Sequence, residues 1–109
     1  MIAEILWKDG GIMRSGEGLK RALENLKEIQ EKDFPNIKTE TSKEILEKLE
    51  VENALWVGEM IIRSALMREE SRGAHFRSDF PKTDDQRWKG SIFLKKSKKE
   101  MHLEFWALH

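Results

Sequence analysis

Thr41-Ser42-Lys43-Glu44 opens the feature that most constrains this chain, a helix-period apolar stripe that continues without a proline to Met67. A hydroxyl residue followed three positions later by glutamate is a capping-box start, because each partner satisfies an orphan N–H of the first turn. Ile45, Leu49, Val51, Leu55, Ile61, Ile62, Ala65 and Leu66 carry the stripe. At a rise of 1.5 Å per residue the helix is about 40 Å long. In a chain of 109 residues, enough for one domain around one core, this is the longest element. Its second half, Ala54 to Met67, is apolar around more of its circumference and is expected to be buried on more than one side. Gly58 stands within that half. A mid-helix glycine costs about 1 kcal/mol against alanine and predicts close approach by another backbone. Glu59 and Arg63 are spaced to pair at i, i+4.

Two further helical patterns precede it. Ile2, Ile5 and Leu6 form a short stripe with no cap before it, ended by Asp9-Gly10-Gly11 and carrying Trp7 as a core cover. Ser15 is placed to cap a second helix, with Leu19, Ala22, Leu23, Leu26 and Ile29 on one face and Lys20, Arg21, Glu24, Lys27 and Glu28 on the other. That arrangement is strongly amphipathic. Asp33-Phe34-Pro35-Asn36 breaks it. After the long helix, Asp84 to Trp88 reads as a turn or short helical piece. Ser91 to Leu94 and Met101 to Trp106 alternate as strands, with Lys95 to Lys99 as a solvated hairpin tip. The sequence therefore predicts a mainly α single domain over 1–109: a three-helix bundle, spectrin-repeat-like in its up-down-up course, with a small C-terminal β-hairpin.

Charge and composition remove several function classes. Lys plus Arg and Asp plus Glu are equal at 20 each. General nucleic-acid or membrane-surface binders rely on an excess of one sign, which this chain lacks. With no cysteine, disulfide and thiolate chemistry are excluded. No apolar run reaches the length of a membrane span and the start lacks a signal-peptide shape, so a cytoplasmic protein without membrane insertion is expected. Gly16-Glu17-Gly18 is not a dinucleotide-binding loop, because Arg21 stands where the third glycine belongs and no strand precedes it. The lysine tip with Trp88 and Trp106 offers charge and stacking to a nucleic acid. In a neutral protein it reads more simply as a soluble turn.

Arg68 to Pro81 gathers six charges, His75 and two phenylalanines around Gly73 ahead of a proline. One reading makes Gly73 the positive-φ residue that ends the long helix, with Arg68, Glu69, Glu70 and Arg72 as last-turn charges. The other has Arg72, His75 and Arg77 converging on an anion such as a substrate or partner carboxylate. His75, Asp79, Asp84 and Asp85 match no metal-ligand template. Ser71 lacks an identifiable base, and His102 and His109 read as isolated surface groups.

Glu70-Ser71-Arg72-Gly73-Ala74-His75-Phe76-Arg77, continued by Asp79-Phe80-Pro81 and by Asp84, Asp85 and Trp88, closely resembles the C-terminal region of one flavoprotein family. That family comprises the flavoprotein subunits of succinate dehydrogenase and fumarate reductase, together with L-aspartate oxidase. Gly11-Ile12-Met13-Arg14, Gly18-Leu19, Ala22-Leu23 and Asn53 extend the likeness over nearly the whole chain. The resemblance implies a helical C-terminal domain whose FAD and substrate are held by separate FAD-binding and capping domains. It therefore implies no catalytic, cofactor-binding or metal residue in this chain. Ser71, Arg72, Gly73, His75, Arg77, Asp79, Asp84, Asp85 and Trp88 form the candidate docking and structural motif. The implied partners are the FAD-binding and capping domains, in the same chain or another.

Gly90 stands where the family commonly has a histidine. The ending Leu103-Glu104-Phe105 is like the fumarate reductase and succinate dehydrogenase branch, whereas Gly11 to Ser15 is nearer L-aspartate oxidase, so the branch stays open. The competing reading is a free-standing interaction module that kept the fold without the enzyme. As a domain of a larger enzyme, the chain is expected to expose some of Trp7, Trp56, Trp88, Trp106, Phe76 and Phe80 in one patch beside Arg72, His75 and Arg77. Isolated chains would then form a modest homodimer.

Overall fold

The computed structural model describes residues 1–98 and 100–108. Lys99 of the expected tip and His109 lie outside the described residues. Helices α1 (Ile2–Gly10), α2 (Gly16–Glu28) and α3 (Ser42–Met67) pack against one another, followed by a single helical turn α4 (Asp85–Trp88) and an antiparallel hairpin of β1 (Gly90–Ser97) and β2 (Glu100–Ala107). The predicted mainly α bundle with a C-terminal hairpin is the observed architecture.

Local chemistry accounts for the helix boundaries. The Ser15 side chain accepts a hydrogen bond from the Gly18 N–H at the start of α2. Thr41 and Glu44 make the full capping box of α3. α2 does not stop sharply before Pro35. It relaxes through a π-turn, Ile29–Asp33, where the Phe34 N–H reaches back to the Ile29 carbonyl, and then a 3-10 turn, Phe34–Asn36. Pro35 has no N–H to continue the ladder, so the helix runs out there.

The core is the interface of α2 and α3, with Leu19, Ala22, Leu26, Ile29, Leu55, Ile62 and Ala65 buried and Ile2, Ile5 and Leu6 of α1 packed against them. Every buried residue of α3 lies in its second half, as the broader apolar surface there predicts. The first half projects past the bundle, leaving Ile45, Leu46 and Leu49 exposed and the molecule elongated at 53 × 27 × 19 Å. Gly58 is approached by the side chains of Leu26 and Leu6, not by a backbone. Buried Asp9 joins the end of α1 to α2 through a two-point pair with Arg21 at 2.6 and 3.2 Å.

The hairpin pairs Ile92 with Phe105 and Leu94 with Leu103, and these four side chains are half-buried. Phe105 meets the buried Trp88 ring edge-on at 5.0 Å. The lysines are not all a free tip: Lys95 and Lys96 belong to β1, and the Lys96 ammonium lies 4.1 Å from the centre of the Trp56 ring. The aromatic residues divide. Trp88 is buried, Trp56 and Phe80 are half-buried, and Trp7, Phe76 and Trp106 are exposed. Trp106 pairs with Phe93 at 4.5 Å on the outer hairpin face, a partner outside the expected group.

Lys98, at the hairpin turn, has φ of +57°. A side chain in that region costs roughly 1 kcal/mol, which glycine avoids. Lys98→Gly is therefore expected to stabilise the fold by about 0.5–1 kcal/mol, seen as a raised urea midpoint with an unchanged slope.

Candidate functional site

α3 ends at Met67, and the chain turns out of the helix at an extended Arg68. Gly73 does not end the helix. It occupies a two-residue turn in which Arg72 and His75 exchange both backbone hydrogen bonds, at 2.7 and 2.9 Å. Gly73 has φ of +58° and Ala74 does not share the positive sign, the pattern of a type II′ hairpin turn. A Cβ on Gly73 would meet no atom within 4 Å, so its requirement is purely conformational. Gly73→Ala should cost roughly 1 kcal/mol; a denaturant midpoint that does not move would contradict the turn.

Freed from the helix, the charges form an internal lattice centred on Glu70, which is fully buried. One Glu70 oxygen accepts from Arg68 Nη1 at 2.6 Å and Arg72 Nε at 2.9 Å. The other accepts from Arg72 Nη2 at 3.1 Å and the Asp84 N–H at 2.8 Å. Burial pushes the Glu70 carboxyl up, but the bonds from Arg72, the Asp84 amide and Arg68 outweigh it and hold the group down at about 2. Arg68 also donates to the carbonyls of Trp88 and Gly90 at 2.7 and 2.9 Å, which ties the end of α3 to α4 and β1. Arg72 reaches on to Asp85, and its pKa is raised by the bonds to Glu70 and Asp85.

A second knot lies around Arg77, only 3% exposed. Its Nη1 donates to the carbonyls of Leu66 at 2.8 Å, Ala65 at 3.2 Å and Arg68 at 3.3 Å. These are orphan acceptors of a helix terminus, where a cation also meets the negative end of the dipole. Nε and Nη2 grip Asp79 at 3.0 and 2.7 Å, and Asp79 in turn accepts from the Gly16 N–H at 2.9 Å. The Arg77 hydrogen bonds, aided by that amide against burial, hold the Asp79 carboxyl below its ordinary range. A Cβ on Gly16 would lie 2.7 Å from the Asp79 carboxylate, so the glycine serves this contact. Ser71 donates to the Phe80 carbonyl at 2.8 Å and accepts from the Arg77 N–H at 2.9 Å. It is a loop brace, not a nucleophile.

His75 joins the segment between α1 and α2 to the end of α3. Arg14 Nη1 lies 2.8 Å from His75 Nδ1, and His75 Nε2 lies 3.2 Å from the Arg68 carbonyl. A guanidinium can only donate, so Nδ1 accepts, Nε2 carries the proton and the ring is neutral. Burial, then the charges of Arg14, Arg68 and Arg77, push its pKa down, against the bond to the Arg68 carbonyl. The depressed value means that His75 stabilises the fold fully above its ordinary 6.5 and progressively less as pH falls below it. Urea midpoints should decline on acidification from there, and His75→Asn should remove that part of the decline.

The nine motif residues are thus brought into one lattice, but Arg72, His75 and Arg77 do not converge on an external anion. Arg72 and Arg77 hold carboxylates of the chain itself, and Asp84 caps α4 by accepting from the Arg87 N–H. The metal-type group is dispersed the same way, with His75 on Arg14, Asp79 on Arg77 and Asp85 on Arg72. Trp88 is buried with an indole N–H that finds no acceptor among the described residues. Glu70, Arg68 and Arg14 are the members that stood outside the nine-residue candidate motif. Glu70 sits between two arginines two positions either way, the available signal for a shared carboxylate.

The whole chain, residues 1–109, matches the family described as fumarate reductase flavoprotein C-term. It is 42% identical over 95 residues to a protein of the CoM/CoB fumarate reductase of Methanothermobacter marburgensis, covering 84% of this chain and 17% of that protein. It is 40% identical over 80 residues to the L-aspartate oxidase of Pyrococcus horikoshii, covering 73% and 13%. A variant FrdA chain of E. coli quinol fumarate reductase superposes with a TM-score of 0.84 at 26% identity, over 99% of this chain and 21% of that one. The chain spans less than a fifth of the length of these curated relatives.

Proposed function

The chain belongs to the fumarate reductase flavoprotein C-terminal domain family, which includes relatives among L-aspartate oxidases, and from that membership we propose that it braces and docks an FAD-dependent oxidoreductase without being catalytic by itself. The parent enzyme moves a hydride between flavin and a four-carbon dicarboxylate or L-aspartate. FAD and substrate are held by FAD-binding and capping domains, in the same polypeptide or another, in the cytoplasm. FAD supplies the hydride chemistry when bound there, and the residues of this chain hold a surface in place beside it. The observation that carries this reading is that the stretch on which the family resemblance rests is spent on internal satisfaction. Glu70, Arg72, Arg77 and Asp79 each bind groups of this chain, which fixes the loop between α3 and the hairpin as one rigid face.

The test is turnover by the polypeptide that unites this chain with an FAD-binding region. Reduction of fumarate, or oxidation of succinate or L-aspartate, is expected from the united protein and none from residues 1–109 alone. A united protein inactive on all three would overturn the assigned substrate class. Turnover by the isolated chain would overturn its non-catalytic role.

A further inference from the structure

Arg14 is the one arginine that holds no carboxylate among the described residues; Arg21, Arg63, Arg68, Arg72, Arg77 and Arg87 each hold one. Its Nε donates to the Gly10 carbonyl at 3.0 Å and its Nη1 to His75. Both acceptors are neutral, so the charge is uncompensated while half-buried, and desolvation lowers its pKa. A buried or half-buried cation is ordinarily paired.

Arg14 faces an open cleft of about 410 Å³, whose polar wall is Arg14, Ser64, Arg68 and His75 and whose apolar wall includes Ile61 and Ile92. Ile61 is 40% exposed in the half of α3 that carries the helix's buried residues. The cleft is bounded by α3, β1 and the turn that carries His75, three elements locked together by Arg68 and Arg77. It is a rigid, mostly apolar hollow with one spare positive charge.

We infer that this cleft seats an aspartate or glutamate side chain presented by the FAD-binding region of the parent flavoprotein, the carboxylate on Arg14 and its flanking apolar residues on Ile61 and Ile92. This rests on the reading of the chain as a docked domain. A single uncompensated charge matches one carboxylate, and apolar walls around a charge-assisted hydrogen bond resemble the centre of a protein interface more than a solvated ligand site. The seated carboxylate completes the pairing of Arg14 and offsets the positive field around neutral His75.

The experiment uses the full polypeptide that carries this chain and its flavin region. A structure of it should place a carboxylate oxygen of the flavin region within about 4 Å of the Arg14 guanidinium. In hydrogen exchange, Arg14→Gln, which keeps a donor for the Gly10 carbonyl, should speed exchange at residues 60–64 and 92–94 by roughly tenfold, whereas Arg14→Lys should stay near wild type. A cleft open to water, or one filled by a second copy or by a free carboxylic acid, overturns this inference alone while flavin remains bound. A polypeptide with no flavin region overturns the functional reading and this inference with it.

Discussion

Glu70→Ala should destabilise the fold by about 3–5 kcal/mol, the cost that follows when a buried ion pair is broken from one side. The substitution takes from Arg68, Arg72 and the Asp84 amide the one carboxylate they share, so these half-buried donors lose their common acceptor together. Glu70→Gln, of nearly equal shape, should still be strongly destabilising, because an amide offers one acceptor oxygen where the carboxylate offers two. Acidification should follow the same logic. The folded carboxyl is held at about 2 against an ordinary 4.5. Its stabilisation is fully present above the ordinary value and is lost as pH falls between the two. Urea unfolding of wild type and Glu70→Gln across that window checks both statements. Equal slopes against pH in the two proteins would show that Glu70 is not the hub.

Arg77→Ala should cost about 3–5 kcal/mol as well, by a different route. Arg77 closes the carbonyl end of α3 and holds Asp79 beneath the start of α2, so its loss leaves helix acceptors without a donor and a carboxylate without its counter-charge. Arg77→Lys separates charge from geometry. A lysine keeps the cation but cannot present the planar fork that spans Asp79 and the carbonyls at once, and it should recover less than half of the loss. Thermal or urea unfolding of the three proteins measures this. Full recovery by lysine would reduce the role of Arg77 to its charge.

These two positions also mark where sequence reasoning reaches and where it stops. The start of α3 was legible because Thr41 and Glu44 cap each other within one turn. The α2 stripe was legible because its buried side chains recur at helical spacing. The end of α3 was not, since its cap is the Arg77 side chain, which arrives from eleven and twelve residues downstream of the carbonyls it satisfies. Local signals placed a positive-φ glycine correctly at Gly73 but tied it to the helix instead of to the Arg72–His75 turn. The pairing of Arg14 with His75 spans 61 residues, and periodicity carries no trace of such a contact. The Lys96–Trp56 stack was equally hidden, because a lysine-rich run reads as solvated until the hairpin is folded back onto α3. Family likeness supplied the motif as a unit. Only the geometry shows that its charges mainly answer one another.

The central claim, that this chain is a bracing domain and that the flavin is held elsewhere, is most directly tested by flavin stoichiometry. Residues 1–109 purified alone, and the same residues purified within the polypeptide that includes the FAD-binding region, should be compared by their absorbance and released FAD. The account predicts no flavin with the first and one FAD per chain with the second. One equivalent of FAD retained by residues 1–109 alone would contradict it.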